Sequence, residues 1–263
     1  MKLFDSHCHL QDGVLLSDIG SILARAEAAG VERMACCGTS SSDWQKVFQL
    51  AAKYPQVIPM VGIHPWFVAD GWNGEFQTLE KLLREHPEAG IGETGLDFSS
   101  FAKATADRQE RFTNRAEQEA SFAAHLDLAR ALNRPVAVHC VHAWGRLIEI
   151  LREHPAPRVL LHAFGGAAEL IPELVELNCW FSFCGSVTNP NAKRVRAAAV
   201  AVPTGRLLIE TDSPDFPPSG CQSPNESANL VHIARAIAEL RGISPESLAE
   251  LTFSNAGCFF TSV

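Results

Sequence analysis

Two histidines lie two residues apart near the start of the chain, in Asp5-Ser6-His7-Cys8-His9. On a strand, alternate residues share a face, so Asp5, His7 and His9 are expected to point one way and Cys8 the other. Two imidazoles so placed can reach one metal ion, with Asp5 orienting a ligand from behind. A His-x-His pair alone is a weak signal, and its companions strengthen it. Further along, apolar runs end in a single His, Glu or Asp: Gly92-Glu93-Thr94-Gly95-Leu96-Asp97, Val136-Ala137-Val138-His139, Leu160-Leu161-His162 and Ile209-Glu210-Thr211-Asp212. Four histidines and two carboxylates can hold two divalent ions, with His7, His9 and Asp212 on the first, His139 and His162 on the second, and Glu93 bridging. Imidazole with carboxylate suits Zn, Mn, Fe or Ni, and Mg less well. Two ions about 3.5–4 Å apart can clamp the attacking and leaving oxygens of a displacement and acidify a bound water. The chemistry implied is metal-assisted hydrolysis, with Asp212 within reach of the attacking water as its proton acceptor.

These residues need a scaffold that brings strand ends together. Apolar, β-rich runs occupy residues 3–8, 31–37, 57–63, 89–96, 135–140, 158–164, 179–184 and 206–211. Helical spacing fills the gaps, over residues 19–29, 44–52, 76–83, 122–132, 147–151 and 170–177; Trp44, Val47, Phe48 and Ala51 follow the i, i+3, i+4, i+7 pattern. Runs apolar on both faces, such as Val159-Leu160-Leu161, suit strands buried between helices and a barrel interior. Alternation of this kind predicts parallel strands, and eight of them close into an α/β (β/α)8 TIM barrel with its chemistry at the C-terminal rim. An open doubly wound sheet is the alternative, though no Gly-x-Gly-x-x-Gly follows the first strand. With no linker or low-complexity tract in view, residues 1–263 are expected to form a single domain. The proline-rich stretch 213–227 reads as a long loop, followed by helices near 229–240 and 245–251.

Composition narrows the function classes. Of 263 residues, 46% are hydrophobic and 20% charged, enough to bury a sizeable core. Twenty-two basic against 30 acidic residues give a net charge of −8, which disfavours a basic groove gripping double-stranded nucleic acid. Nucleic acid remains open as a substrate if bound metal supplies the local positive charge. No apolar run approaches the ~18 residues of a membrane span, and the N-terminus lacks a signal-like stretch, so a cytoplasmic protein with thiol cysteines is expected.

His7-Cys8-His9, Gly62-Ile63-His64-Pro65, Gly92 to Asp97, Val138-His139, Leu161-His162-Ala163-Phe164 and Glu210-Thr211-Asp212-Ser213-Pro214 together resemble the signature blocks of the TatD family, in order and over nearly the whole chain. Those proteins are metal-dependent hydrolases of the amidohydrolase-like barrels, often deoxyribonucleases. The resemblance implies two divalent ions (Zn, Mn, Mg, Ni or Fe) on His7, His9, Glu93, His139, His162 and Asp212. It implies DNA as substrate, cleaved by a metal-bound hydroxide, and His64 as a residue touching the phosphate or stabilising its developing charge. Glu93 stands where the carboxylated-lysine branch of these barrels would want Lys. The alternative on the same site is hydrolysis of a small amide, lactone or aminoacyl ester.

Departures from the family pattern bear on substrate. After His139 the chain reads Cys140-Val141-His142, where the family often has Ser or Thr followed by Arg. His142 is the candidate substitute contact, against its reading as an exposed residue at a helix start. Trp66 is expected at the pocket mouth as a second substrate contact. Cys36-Cys37 and His125 are read as packing.

Overall fold

The computed structural model describes residues 1–68, 72–99 and 115–261. Strands β1 (Leu3–Cys8), β2 (Val31–Cys37), β3 (Val57–Val61), β4 (Gly90–Asp97), β5 (Pro135–Val141), β6 (Arg158–Leu161), β7 (Cys179–Phe183) and β8 (Leu207–Ile209) are all parallel, each paired with the next in sequence order. Helices α1 (Gly13–Leu16), α2 (Ile19–Ala28), α3 (Trp44–Lys53), α4 (Trp72–Glu85), α5 (Arg115–Leu132), α6 (Trp144–Glu153), α7 (Ile171–Glu176), α8 (Lys193–Ala201), α9 (Leu230–Arg241) and α10 (Pro245–Phe260) lie between and after them. This is a (β/α)8 barrel, and the open-sheet alternative falls. None of the described helices is long and apolar enough to cross a membrane.

The strands alternate their side chains between two apolar layers. Phe4, Ala35, Cys37, Met60, Ala137, Leu160, Trp180 and Leu208 point inward and fill the barrel. α10 lies across the N-terminal end and closes it with Phe259 and Phe260; Phe4 stacks on Phe260 with ring centroids 5.0 Å apart. The second layer lies between strands and helices. In α3, Trp44, Val47, Phe48 and Leu50 are buried there while Gln45, Lys46 and Gln49 face water, as the amphipathic spacing requires.

The seam between β8 and β1 is made just beyond the last residue of β8. Asp212 N–H donates to His7 O at 2.9 Å and His9 N–H to Ser213 O at 2.8 Å. Buried Asp5 adds to it, accepting from Thr211 N–H at 2.8 Å and Thr211 Oγ1 at 2.6 Å.

Three strands end earlier than their apolar runs suggest: β3 at Val61, β6 at Leu161 and β8 at Ile209. His64, His162 and Asp212 therefore sit in the first residues past the ladder, where the chain turns over the rim. Asp212 itself takes φ 54°, the left-handed conformation that Asp tolerates better than most residues. The same-face expectation for Asp5, His7 and His9 fails. The β1–β2 pairing shifts register between Asp5 and Cys8, so the alternation breaks there. Asp5 turns towards Thr211 and the surroundings of Cys8, away from the histidines, and its burial pushes its carboxyl up to about 7.

Candidate metal centre

Glu93 stands at the middle of the rim, almost fully buried. Its Oε2 lies 3.4 Å from both His7 Nε2 and His9 Nε2. Its Oε1 lies 2.8 Å from His162 Nε2, 3.0 Å from His139 Nδ1 and 3.3 Å from His64 Nε2. Asp212 Oδ1 completes the first side, 3.4 Å from His9 Nε2 and 3.6 Å from His7 Nε2. The strand that carries Glu93 approaches its neighbour closely because of Gly95: a Cβ there, at φ 136°, would sit 2.1 Å from His139 O.

The hydrogen bonds made by the outer ring nitrogens decide which histidines can ligate. His9 Nδ1 donates to Cys37 O at 2.7 Å, leaving the Nε2 lone pair facing Glu93. His7 Nδ1 lies 3.3 Å from Cys37 Sγ, which is also 3.9 Å from Ala35 O. His139 turns the other way, with Nε2 at 3.3 Å from Asp97 Oδ2 and Nδ1 towards the cluster. His162 Nδ1 faces Glu210 Oε1 at 3.6 Å, while Glu210 is held by Ala163 N–H at 2.7 Å and by Ser182 Oγ. Each of these four rings thus aims one nitrogen at the same region, where a cation could take the place of its proton, and an acceptor-bearing residue stands near each outer nitrogen. His64 is the inverse. Its Nδ1 accepts the Trp66 N–H at 3.1 Å, so the neutral ring carries its proton on Nε2, towards Glu93. An N–H cannot ligate; His64 is a donor into the site.

Electrostatics agree. Burial opposes charge on His9, yet the Asp212 hydrogen bond and the nearby Glu93 push it up to about 9. His162 rises well above the usual imidazole range against its own burial, driven by Glu93 and Glu210. Asp212 is held at about 2, burial being outweighed by the His9 hydrogen bond and by His162 and His7. Glu93, despite burial, is held well below the carboxylate range by His162, His64 and His139. The carboxylates therefore draw positive charge to this point, a demand that divalent cations meet without protons. The donor set of imidazole and carboxylate fits such an ion. His64 responds oppositely, burial holding it at about 4 and hence neutral.

The site opens into a cavity of about 570 Å³ lined by His9, His64, Glu93, His139, His162 and Asp212, with Trp66 and Phe216 also on its wall. Trp66 Nε1 donates to Asp97 Oδ2 at 2.6 Å, which fixes the indole. His142 is not brought in. It is exposed at φ 55°, and this left-handed turn into α6 swings it to solvent while Val141 lines the cavity.

Three residues of the site were read from sequence as packing or passed over. Asp97 backs His139 and Trp66; its presence within the Gly92 to Asp97 block is the only sequence cue. Cys37 supports both His7 and His9, one through sulfur and one through its carbonyl; burial keeps the thiol far above its usual range, so it stays protonated. His125 on α5 accepts the Ile63 N–H at 3.1 Å and donates to Ser121 O at 2.7 Å, setting the backbone just before His64. Nothing local in the sequence points to the last two, because both contacts join distant segments.

A family model, "TatD related DNase", matches residues 4–261. The chain belongs to the TatD family. Among TatD-family and related proteins, it is 34% identical over 267 residues to YcfH of Escherichia coli (strain K12), a metal-dependent hydrolase, covering 99% of this chain and 96% of that protein. It is 32% identical over 270 residues to the 3'-5' ssDNA/RNA exonuclease TatD of Salmonella typhimurium, covering 99% and 100%. The crystal structure of YJJV, a TatD homologue from Escherichia coli K12, superposes with a TM-score of 0.89 at 27% identity, covering 98% of this chain and 97% of that one. This TatD-family chain is accordingly a metal-dependent hydrolase.

Proposed function

We propose that this protein is a two-metal phosphodiesterase that shortens single-stranded DNA from an end. The carrying observation is Glu93, whose Oε2 faces His7 and His9, with Asp212 beside them, and whose Oε1 faces His139 and His162. That division suits one ion per group with Glu93 between them. When bound, divalent ions of the Zn, Mn, Fe or Ni kind supply Lewis acidity towards a phosphate and lower the pKa of water. Asp212, ionised at about 2 and lining the cavity, takes the proton of the attacking water. His64, neutral with its proton on Nε2, donates to a non-bridging phosphate oxygen as charge builds there. Trp66 bounds the pocket on the His64 side. The nuclease name of the Salmonella relative supports the choice of DNA.

A second reading, hydrolysis of a small amide, lactone or aminoacyl ester, is favoured by one feature: Lys46 is the sole Lys or Arg among the described residues lining the cavity. The discriminating experiment incubates metal-reconstituted protein with end-labelled single-stranded DNA, with chelator and Asp212→Asn controls, and follows product length. Stepwise shortening that both controls abolish is the expected result and gives the polarity. Intact DNA with protein shown by elemental analysis to hold two metal equivalents overturns the nuclease reading in favour of the small substrate.

A further inference from the structure

Phe216 is an exposed aromatic that folding does not explain. It lies on the wall of the metal cavity, 53% exposed, at φ 48°. A left-handed backbone is unfavourable for any residue with a Cβ and rare for an aromatic one. Its ring makes no contact with another aromatic ring among the described residues, and about half of its surface, 53%, stays open to solvent.

The surrounding structure nonetheless holds it in place. Asn225 is fully buried, and its side-chain amide donates to Thr211 O and Asp215 O, each at 2.9 Å, and to Phe216 O at 3.3 Å. From the other side, Gly185 closes on the same carbonyl: a Cβ there would stand 2.0 Å from Phe216 O. The Phe216 carbonyl is thus pinned inward between a buried amide and a glycine, and its ring is presented outward at the mouth. Trp66, tied to Asp97, and Phe67, edge-on to His64, are further aromatics on this wall.

Charge says what the ring is for. Apart from Lys46, the charged side chains of this lining are carboxylates or histidines, including Asp12, Asp43, Asp97 and Asp215. A strand tracked by its phosphates needs a basic groove, and among the described residues this lining offers a single lysine, so the phosphate at the metal centre is the anion those residues suit best. Other affinity has to come from uncharged parts of the substrate, and an exposed ring offers stacking to a base of any identity.

We infer that Phe216 is a stacking platform for the nucleobase of the terminal nucleotide, whose phosphate would sit at the metal centre beside His64. The inference rests on the phosphodiesterase reading above and adds the element that senses a base. It predicts a substrate preference that follows the presence of a base and ignores which base it is.

The test compares a single-stranded oligonucleotide with bases throughout against one whose terminal residues at both ends are abasic, using Mn²⁺-loaded protein. In the wild type the base-bearing end is expected to have a KM lower by tenfold or more. That preference collapses towards one in Phe216→Ala and Phe216→Leu and returns in Phe216→Trp. In parallel, a terminal 2-aminopurine is quenched on binding to Asp212→Asn protein and is not quenched when Phe216→Ala is added. Equal KM values in the wild type, or a preference and quenching that survive Phe216→Ala, overturn this inference alone. Absence of cleavage of either oligonucleotide overturns the phosphodiesterase reading and the inference with it.

Discussion

The barrel carries a cavity of similar size at each end, and only one of them gathers the chemistry. The N-terminal cavity, about 630 Å³, is lined by Phe4, Phe48, Ile58, Phe253 and Phe260, with His86 stacked flat on Phe48 and paired with Glu88 at 3.0 Å. The C-terminal cavity, about 570 Å³, is walled by buried imidazoles and carboxylates that share one region. One end stabilises the fold through apolar burial. The other concentrates charge that burial alone disfavours, and turns backbone into left-handed conformations at Asp212, Ala163 and Phe216. Volume therefore does not locate an active site here; the cost of assembling it does.

Substitutions at the two ends should separate activity from stability. Asp212→Asn is expected to lower kcat by roughly 10³-fold while circular dichroism and the melting transition of the chelated protein stay near wild type. Turnover at the wild-type rate would remove Asp212 from the proton-acceptor role. At the opposite end, Phe259→Ala empties a fully buried ring position and should cost about 3–5 kcal/mol of unfolding free energy in urea titrations. Activity per folded molecule should survive it; a matching loss of kcat would show that the two ends are coupled.

Supporting contacts should give smaller effects. Cys37→Val keeps the side-chain volume and removes the sulfur that partners His7 Nδ1, so metal affinity measured by calorimetry should weaken by roughly 10–100-fold. Unaltered affinity would reduce Cys37 to core filling. His125 offers the mildest test. Burial holds it at about 4, below the ~6.5 of an unfolded imidazole, so the unfolded chain binds the extra proton between those values. Its contribution is full above pH 6.5 and is lost as pH falls towards 4. His125→Gln should cost about 1 kcal/mol at pH 7, and the gap from wild type should narrow as pH falls. Parallel stability curves for the two proteins would contradict the neutral buried histidine.

Much of this molecule was legible in the sequence because its two periodicities are strong. Both-face apolar runs gave all eight strands, and the titratable residue closing several of them marked the rim. His7, His9, Glu93, His139, His162 and Asp212 do converge in the structure, as their places at successive strand ends imply. Period-two alternation misled only where a register shift interrupts it, at Asp5. Local pattern also failed for His142, whose orientation depends on one backbone angle. Cys37, His125 and Phe216 went unrecognised for a different reason. The contacts that define them, to His7, Ile63, Gly185 and Asn225, are made by chain folding back on itself, and composition carries no trace of such pairings.

The seam described between β8 and β1 has a mechanical meaning. Its two backbone hydrogen bonds use Asp212, His7 and His9, residues of the cluster itself, and Ser213 beside it. Residues proposed as ligands, on the first strand and just past the last, are thus also the clasp of the cylinder. A cation held, as proposed, by His7, His9 and Asp212 would tie those two staves together, so that loading the centre would also fasten the barrel. Amide hydrogens at Asp212 and His9 should then exchange with solvent far more slowly in the loaded protein than after chelation, while those of β3 to β6 are indifferent.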